Sequence, residues 1–239
     1  MLVEFHVHAA SYRRTPPAFR PHVAAAVRHW SRGRRQYRAW APHLAQARGL
    51  IDTSIDDIAR RRVVAVLGSG ALFDIPLESL CRNFEDVLLI DRVHLSVIDP
   101  RLRRYANARQ LWRDLSPEHD AAALAFLADI AGLDWVISAG LVAPLAMAAA
   151  PERRRLVVDR HLGALAALPC PATLITDLDF RVLNRHGVLR DSADLLHGRS
   201  MPRTGLRWKW EVAPFGEEAR NTRRVHYVAG WPDWREASA

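Results

Sequence analysis

The sequence predicts an α/β fold: a mostly parallel sheet, ended by an antiparallel hairpin and preceded by a helical appendage. Three observations carry this. From residue 61 to residue 179, short apolar runs alternate with stretches of helical periodicity, the pattern of repeated strand–helix units. Residues 208–212 and 224–228 alternate apolar and polar side chains with no helix between them, so they pair antiparallel. Residues 21–60 space Val23, Val27, Trp30, Trp40, Leu44 and Ile51 as helices do. The chain divides into residues 1–60, a basic helical appendage, and residues 61–239, the α/β domain.

The first 20 residues open with an alternating patch at residues 2–8 and continue to Pro16-Pro17. The proline pair argues against a helix, and the segment reads as irregular or as an edge strand. His6 and His8 would share one face of a strand, as a pair of metal ligands does. A metal-dependent barrel needs further ligands on later strands and a longer chain, so no metal site is assigned. Residues 21–60 read as two helices broken at Ser31-Arg32-Gly33, then a short helical restart at Thr53-Ser54 and Asp56-Asp57.

Residues 62–91 are the organising unit. Val63–Leu67 is an apolar, β-branched run that suits a buried strand. Gly68-Ser69-Gly70 breaks it, and Leu72, Ile75, Leu77 and Leu80 follow at the spacing of a helix with one buried face. Residues 87–90 form a second strand ending on Asp91. A glycine turn at the carboxyl end of a strand lets a ligand approach the backbone. A helix starting at that turn would point unpaired N–H groups at the ligand. Asp91 stands 21 positions after Gly70 (91 − 70), against the roughly 20 of a nucleotide-binding unit whose acid accepts from ribose hydroxyls. Gly68, Ser69, Gly70 and Asp91 are therefore assigned to a nucleoside-type cofactor site. The alternative is a buried unit whose glycines serve only helix–sheet packing.

Asp99-Pro100 opens a helix expected over residues 99–107. Residues 109–112 are a third strand ending at Asp114-Leu115, and residues 116–130 a further helix. Residues 134–137 are a fourth strand that ends in the small-residue turn Ser138-Ala139-Gly140. Residues 152–167 are helical, and residues 172–176 are a fifth strand ending at Asp177-Leu178-Asp179. Residues 180–206 read as loop, and the hairpin follows.

Composition bounds the function. Of 239 residues, 49% are hydrophobic and 25% charged, ordinary for a globular protein. No apolar run is long enough to span a bilayer, and the N-terminus does not have the pattern of a secretory signal. Cys81 and Cys170 are too few for a disulfide framework or a zinc site, so a reduced, cytoplasmic setting is expected. Residues 1–62 hold 12 Arg and 4 acids, which accounts for the whole net charge of +8. The Arg-rich segment 28–38 suits nucleic acid or another anionic partner, or is a solvated helical face.

Five strand–helix units and a terminal hairpin, with Val66-Leu67-Gly68-Ser69-Gly70-Ala71-Leu72 at the first turn, resemble the Rossmann-like class I S-adenosylmethionine-dependent methyltransferases over roughly residues 61–232. The match departs from the family at Val66, where an acid is usual, and at Leu72, the place of a third glycine. The resemblance implies S-adenosylmethionine as cofactor and an unidentified methyl acceptor. It implies that Asp74 compensates for the acid missing at Val66 and that Asp91 binds the ribose. It also implies that Arg92 lies along the adenosine, Asp114 and Leu115 flank the adenine, and Ser138 and Ala139 line the floor beneath the methyl group. Ser138-Ala139-Gly140-Leu141 lacks the motif used for amino methylation of DNA bases. His94, after the second strand, and Asp177 and Asp179, after the fifth, are the candidate bases. Two other classes share much of the pattern. One is a non-catalytic relative acting as a binding or scaffold module. The other is an NAD(P)-dependent oxidoreductase, which prefers a third glycine where this chain has Phe73.

Overall fold

Val63–Leu67 forms β1, buried on both faces as its apolar run requires. The computed structural model describes residues 2–118, 120 and 122–238. Around β1 lie β2 (Asp86–Asp91), β3 (Ala108–Trp112), β4 (Leu133–Ala139) and β5 (Ala172–Asn184), all parallel. Antiparallel strands β6 (Leu189–Asp194), β7 (Leu206–Ala213) and β8 (Thr222–Trp231) follow. Among the described residues the sheet runs β3-β2-β1-β4-β5-β8-β7, with β6 paired to β5. The order reverses between β1 and β4, which opens a crevice at the carboxyl ends of these strands. This is a Rossmann-like sheet with a terminal antiparallel hairpin, as the sequence predicts.

Strand alternation builds two cores. Ala65 and Leu67 pack with α6 (Val142–Ala148) and α7 (Arg154–Ala166) on one face. Val64 and Val66 pack with α3 (Tyr37–Ser54) and α4 (Leu77–Asn83) on the other. Ala47, Leu50 and Ile51 of α3 belong to this second core, so it runs across the boundary expected near residue 61. Gly230 of β8 makes that approach possible, because a Cβ there would lie 2.4 Å from Leu50 Cδ2.

The N-terminus differs from its sequence reading. Residues 2–14 are a helix, α1 (Leu2–Arg14), and the prolines lie just beyond its end rather than within it. Val7 packs with Val23, Val27 and Trp30 of α2 (Val23–Arg35) and with Val93 and Leu95. Residues two apart on a helix point about 200° apart, so His6 and His8 do not share a face. Helix α2 runs unbroken through Ser31-Arg32-Gly33. Gly33 serves packing: a Cβ would meet Phe73 at 2.5 Å and Trp40 at 2.6 Å.

Other elements are shorter or longer than expected. α4 starts at Leu77, not at the glycine turn. Residues 96–102 hold a 3-10 turn, Ser96–Ile98, and a single-turn helix, α5 (Asp99–Leu102), in place of the helix over 99–107. Where a helix over 116–130 was expected, the described residues contain a 3-10 helix, Ala125–Asp129, and no α-helix; His119 and Ala121 lie outside the described residues. α6 had no sequence prediction. β5 continues to Asn184 and turns into β6 within the stretch read as loop. The Asn184 side chain accepts from the N–H groups of His186 and Val188, each at 2.9 Å, and Gly187 takes φ +76°. That is an Asx-type turn followed by a left-handed glycine, a hairpin signal with a physical cause. The chain ends in α8 (Trp234–Ala237), whose Trp234 is buried.

Two glycine substitutions in contacting elements should act in opposite directions. Gly230→Ala should destabilise by about 1–3 kcal/mol through overpacking against Leu50. Gly49→Ala, in α3 with open space around it, should stabilise by about 0.5–1 kcal/mol. Urea unfolding of the two variants measures both.

Candidate active site

Beyond β1 the chain enters a loop, residues 68–76, tied to β2 by backbone bonds. Gly68 N–H donates to Ile90 O at 2.9 Å, and Gly70 N–H donates to Asp91 Oδ2 at 2.8 Å. Asp91 Oδ1 accepts from Val93 N–H at 3.2 Å. Gly68, Gly70 and Leu72 all take positive φ (70°, 49° and 56°). Leu72 thus keeps the left-handed conformation of a glycine while its side chain is fully buried in the core. That conformation costs about 1–2 kcal/mol for a side-chain-bearing residue. Arg101 Nη1 donates to Leu72 O at 3.1 Å, and Arg48 donates to Phe73 O, which pins the loop. The expected helix N-terminus is therefore replaced by a strained turn. Six residues, 71–76, separate Gly70 from the start of α4.

A cavity of about 240 Å³ lies between this loop, the ends of β4 and β5, the β7–β8 hairpin and helices α2 and α3. Of the residues predicted from sequence, Gly68, Ser69, Gly70, Asp74, Ala139 and Asp177 line it. The others lie elsewhere. Asp91 stands behind the loop as its hydrogen-bond acceptor. Arg92 Nε donates to Asp114 Oδ1 at 2.8 Å, forming an ion pair outside the cavity wall. Leu115 is buried in the core with Leu124 and Leu127, which takes it away from a ligand face. Ser138 points to the opposite face of β4 from Ala139, with its Oγ 3.0 Å from His161 Nε2. His94 is fully buried, with Nε2 3.2 Å from Leu111 O and its ring edge-on to Trp112. Packing holds it there, and it does not line the cavity. Asp179, past a bulge in β5, faces Arg181 at 3.8 Å.

Sequence reasoning missed Trp40, His43 and His226, which line the cavity with Trp210. Trp208 and Trp210 share one face of a strand, a visible signal, but their partners are far away in the chain. Trp208 Nε1–H donates to His43 Nδ1 at 2.9 Å across 165 positions. His43 stacks flat on Trp210 with ring centroids 4.2 Å apart.

The electrostatics follow from burial and neighbours. Burial pushes the Asp74 carboxyl up to about 6, the negative Asp177 adding to the rise and Arg48 opposing it. Burial lowers His43 to about 4, so its ring is neutral near pH 7. The Trp208 bond to Nδ1 then places its proton on Nε2, which makes His43 a hydrogen-bond donor rather than a base. His226 Nδ1 lies 3.4 Å from Asp177 Oδ1. The site thus combines a glycine turn open to close backbone approach, two recessed carboxylates, Asp74 and Asp177, and an imidazole, His226, beside one of them.

No protein-family model and no curated protein matches the chain. Solved structures do show a likeness. The Burkholderia thailandensis 1,6-didemethyltoxoflavin-N1-methyltransferase, with bound 1,6-didemethyltoxoflavin and S-adenosylhomocysteine, is 16% identical over 87% of this chain and 89% of that one, with a TM-score of 0.43. The DhpI–SAH complex is 14% identical over 87% and 95%, also at 0.43. A precorrin-6y C5,15-methyltransferase from Geobacter metallireducens GS-15 is 14% identical over 75% and 85%, at 0.33. Fold likeness at this distance does not transfer a function, which has to be read from the site.

Buried His161 is held at about 4 by desolvation, so between about pH 6.5 and pH 4 the unfolded chain takes up a proton that the folded ring cannot. Stability falls through this window as pH falls, by about 2 kcal/mol at pH 5 from this group. Asp74, raised to about 6, works the other way below that value. Thermal melts of His161→Gln should therefore lose less stability than wild type between about pH 7.5 and about pH 5.

Proposed function

We propose that the chain is an S-adenosylmethionine-dependent methyltransferase. The observation that carries this reading is the strand order β3-β2-β1-β4-β5-β8-β7 with Asp91, at the end of β2, bonded to Gly70 in the turn after β1. This brings the glycine turn and the acid to one crevice, where a nucleoside sits in doubly wound sheets. The antiparallel β8 fits the methyltransferase resemblance and disfavours a nicotinamide enzyme.

The residues present suit this cofactor. Gly68 and Gly70 present no Cβ to it, and the Asp91 carboxylate, which accepts from Gly70 N–H at the end of β2, would also accept from ribose hydroxyls. Asp74 would hold the ammonium end, the role left open by Val66, whose side chain is buried in the core. Arg92 and Asp114 would border the adenosine. Ala139 would lie beneath the methyl group, with the neighbouring Ser138 contributing backbone only. When bound, S-adenosylmethionine supplies a methyl group on a positively charged sulfur. The chain's part is chiefly to position an acceptor in line with it.

The reading carries a cytoplasmic setting, supported by the free thiols of Cys81 and Cys170. Among the described residues no helix is long and apolar enough to cross a membrane. A nucleic acid bound along residues 28–38 would compete with the bonds of Arg32 and Arg35 to Glu217 and Glu218. Steep salt dependence of oligonucleotide binding would mark such a partner.

Calorimetric titration with S-adenosylmethionine and S-adenosylhomocysteine, and with NAD(H) and NADP(H) as controls, tests the reading. Only the sulfur nucleosides should bind. Asp91→Ala, which frees Gly70 N–H and removes the ribose acceptor, should weaken them about tenfold or more. Gly70→Val, at φ +49°, should abolish binding. Affinity unchanged in both variants would show that the site lies elsewhere.

A further inference from the structure

Beyond the cofactor site, the cavity holds an imidazole that the methyltransferase reading leaves without a task. His226 on β8 lines the cavity together with Asp177 on β5. The Asp177 side chain is about one tenth exposed and that of His226 about 15%. Asp177 Oδ1 stands 3.4 Å from His226 Nδ1. The contact is electrostatic rather than a hydrogen bond; it sets the carboxylate on the Nδ1 side of the ring and leaves Nε2 as the nitrogen away from it. The position is set by the fold. Phe180 stacks on one side of the ring at 5.8 Å and Trp210 stands edge-on at 5.7 Å.

The walls point to the class of acceptor. Trp40 and Trp210 meet edge to face at 4.9 Å, and His43 extends Trp210 as a stacked plane. Phe73 adds a further ring beside Trp40. A slot whose aromatic faces, Trp40, Phe73 and Trp210, stand beside polar groups such as Asp177 and His226 suits a small planar ring that carries a polar substituent. Helices α2 and α3 form one side of it.

We propose that His226 is the general base for methylation of a small aromatic hydroxyl compound, and that Asp177 is the residue that positions it. The inference rests on the methyltransferase reading for the identity of the methyl donor. In the step, the acceptor O–H bond breaks and its proton passes to His226 Nε2. An oxygen lone pair forms the O–CH3 bond as the S–CH3 bond breaks. The electron pair of that bond stays on sulfur, which goes from sulfonium to neutral thioether, and the imidazolium then returns its proton to solvent. The charged and titratable groups around His226 are Asp177 and Asp179 on β5, His43 on α3, His29 and Arg32 on α2, and Asp74 in the glycine loop. Of these, His43 stays neutral near pH 7 because burial lowers it to about 4.

The test uses 4-nitrophenol, which ionises near neutral pH and absorbs visible light only as the phenolate. The full-length protein is saturated with S-adenosylhomocysteine, and the bound phenol is titrated by absorbance. In wild type the phenolate should appear roughly one pH unit or more below its value in water, paired with His226 imidazolium. His226→Gln should bind the phenol but lose the displacement, and Asp177→Asn should retain only part of it. Displacement equal in wild type and His226→Gln would overturn the base assignment. Saturation with S-adenosylhomocysteine but no binding of the phenol would overturn the acceptor class. Failure of S-adenosylhomocysteine to bind, with the displacement intact, would refute the donor and leave the base standing.

Discussion

The hydrogen bond from Gly70 N–H to the Asp91 carboxylate is the contact on which the site depends. It joins the end of β2 to the turn after β1, and with Gly68 N–H on Ile90 O it holds that turn over the sheet. The turn is not relaxed: Leu72 sits at φ +56° with its side chain fixed in the core. Strain of this kind persists only where surrounding structure over-determines the backbone. Here the core grips the Leu72 side chain, while Arg101 and Arg48 hold the carbonyls of Leu72 and Phe73.

The cavity beside this turn balances opposite demands on charge. Asp74 is raised and His43 is lowered, both by desolvation, so the walls are less charged near neutral pH than their composition suggests. Asp177 and His226 face each other in the same cavity at 3.4 Å.

Several arginines of the basic N-terminal quarter pair with acids elsewhere in the molecule. Arg32 and Arg35 of α2 reach Glu217 and Glu218 in the connection between β7 and β8, and Gln36 donates to Glu217 at 2.6 Å. Arg14 pairs with Asp99 at 2.5 Å, and Arg62 with Asp134 at 2.7 Å. Such partly exposed pairs are each worth about 0–1 kcal/mol, but they orient α2 and α3 over the crevice. Part of a charge excess that reads along the chain as one patch thus serves contacts within the molecule. Apolar packing of Leu50 and Ile51 supplies the adhesion.

Local signals in the sequence determined the sheet and its turning point. Apolar runs marked β1 to β5, alternation marked β7 and β8, and the Gly68–Gly70 turn with Asp91 located the crevice, because period and backbone freedom are properties of neighbours along the chain. Signals of the same kind misled where tertiary contacts overrode them. Residues 2–8 alternate yet form a helix, because Val7 finds a core with Val27 and Val93. Gly33 looked like a break but makes room for Phe73 and Trp40. Ser138 was placed on the cofactor floor, but strand alternation turns it to His161, whereas its neighbour Ala139 lines the cavity. Only the tertiary structure assembled His43, Asp177, Trp210 and His226, drawn from α3, β5, β7 and β8. No periodicity joins residues so far apart, and their closeness follows from the docking of α3 on the hairpin and the pairing of β5 with β8.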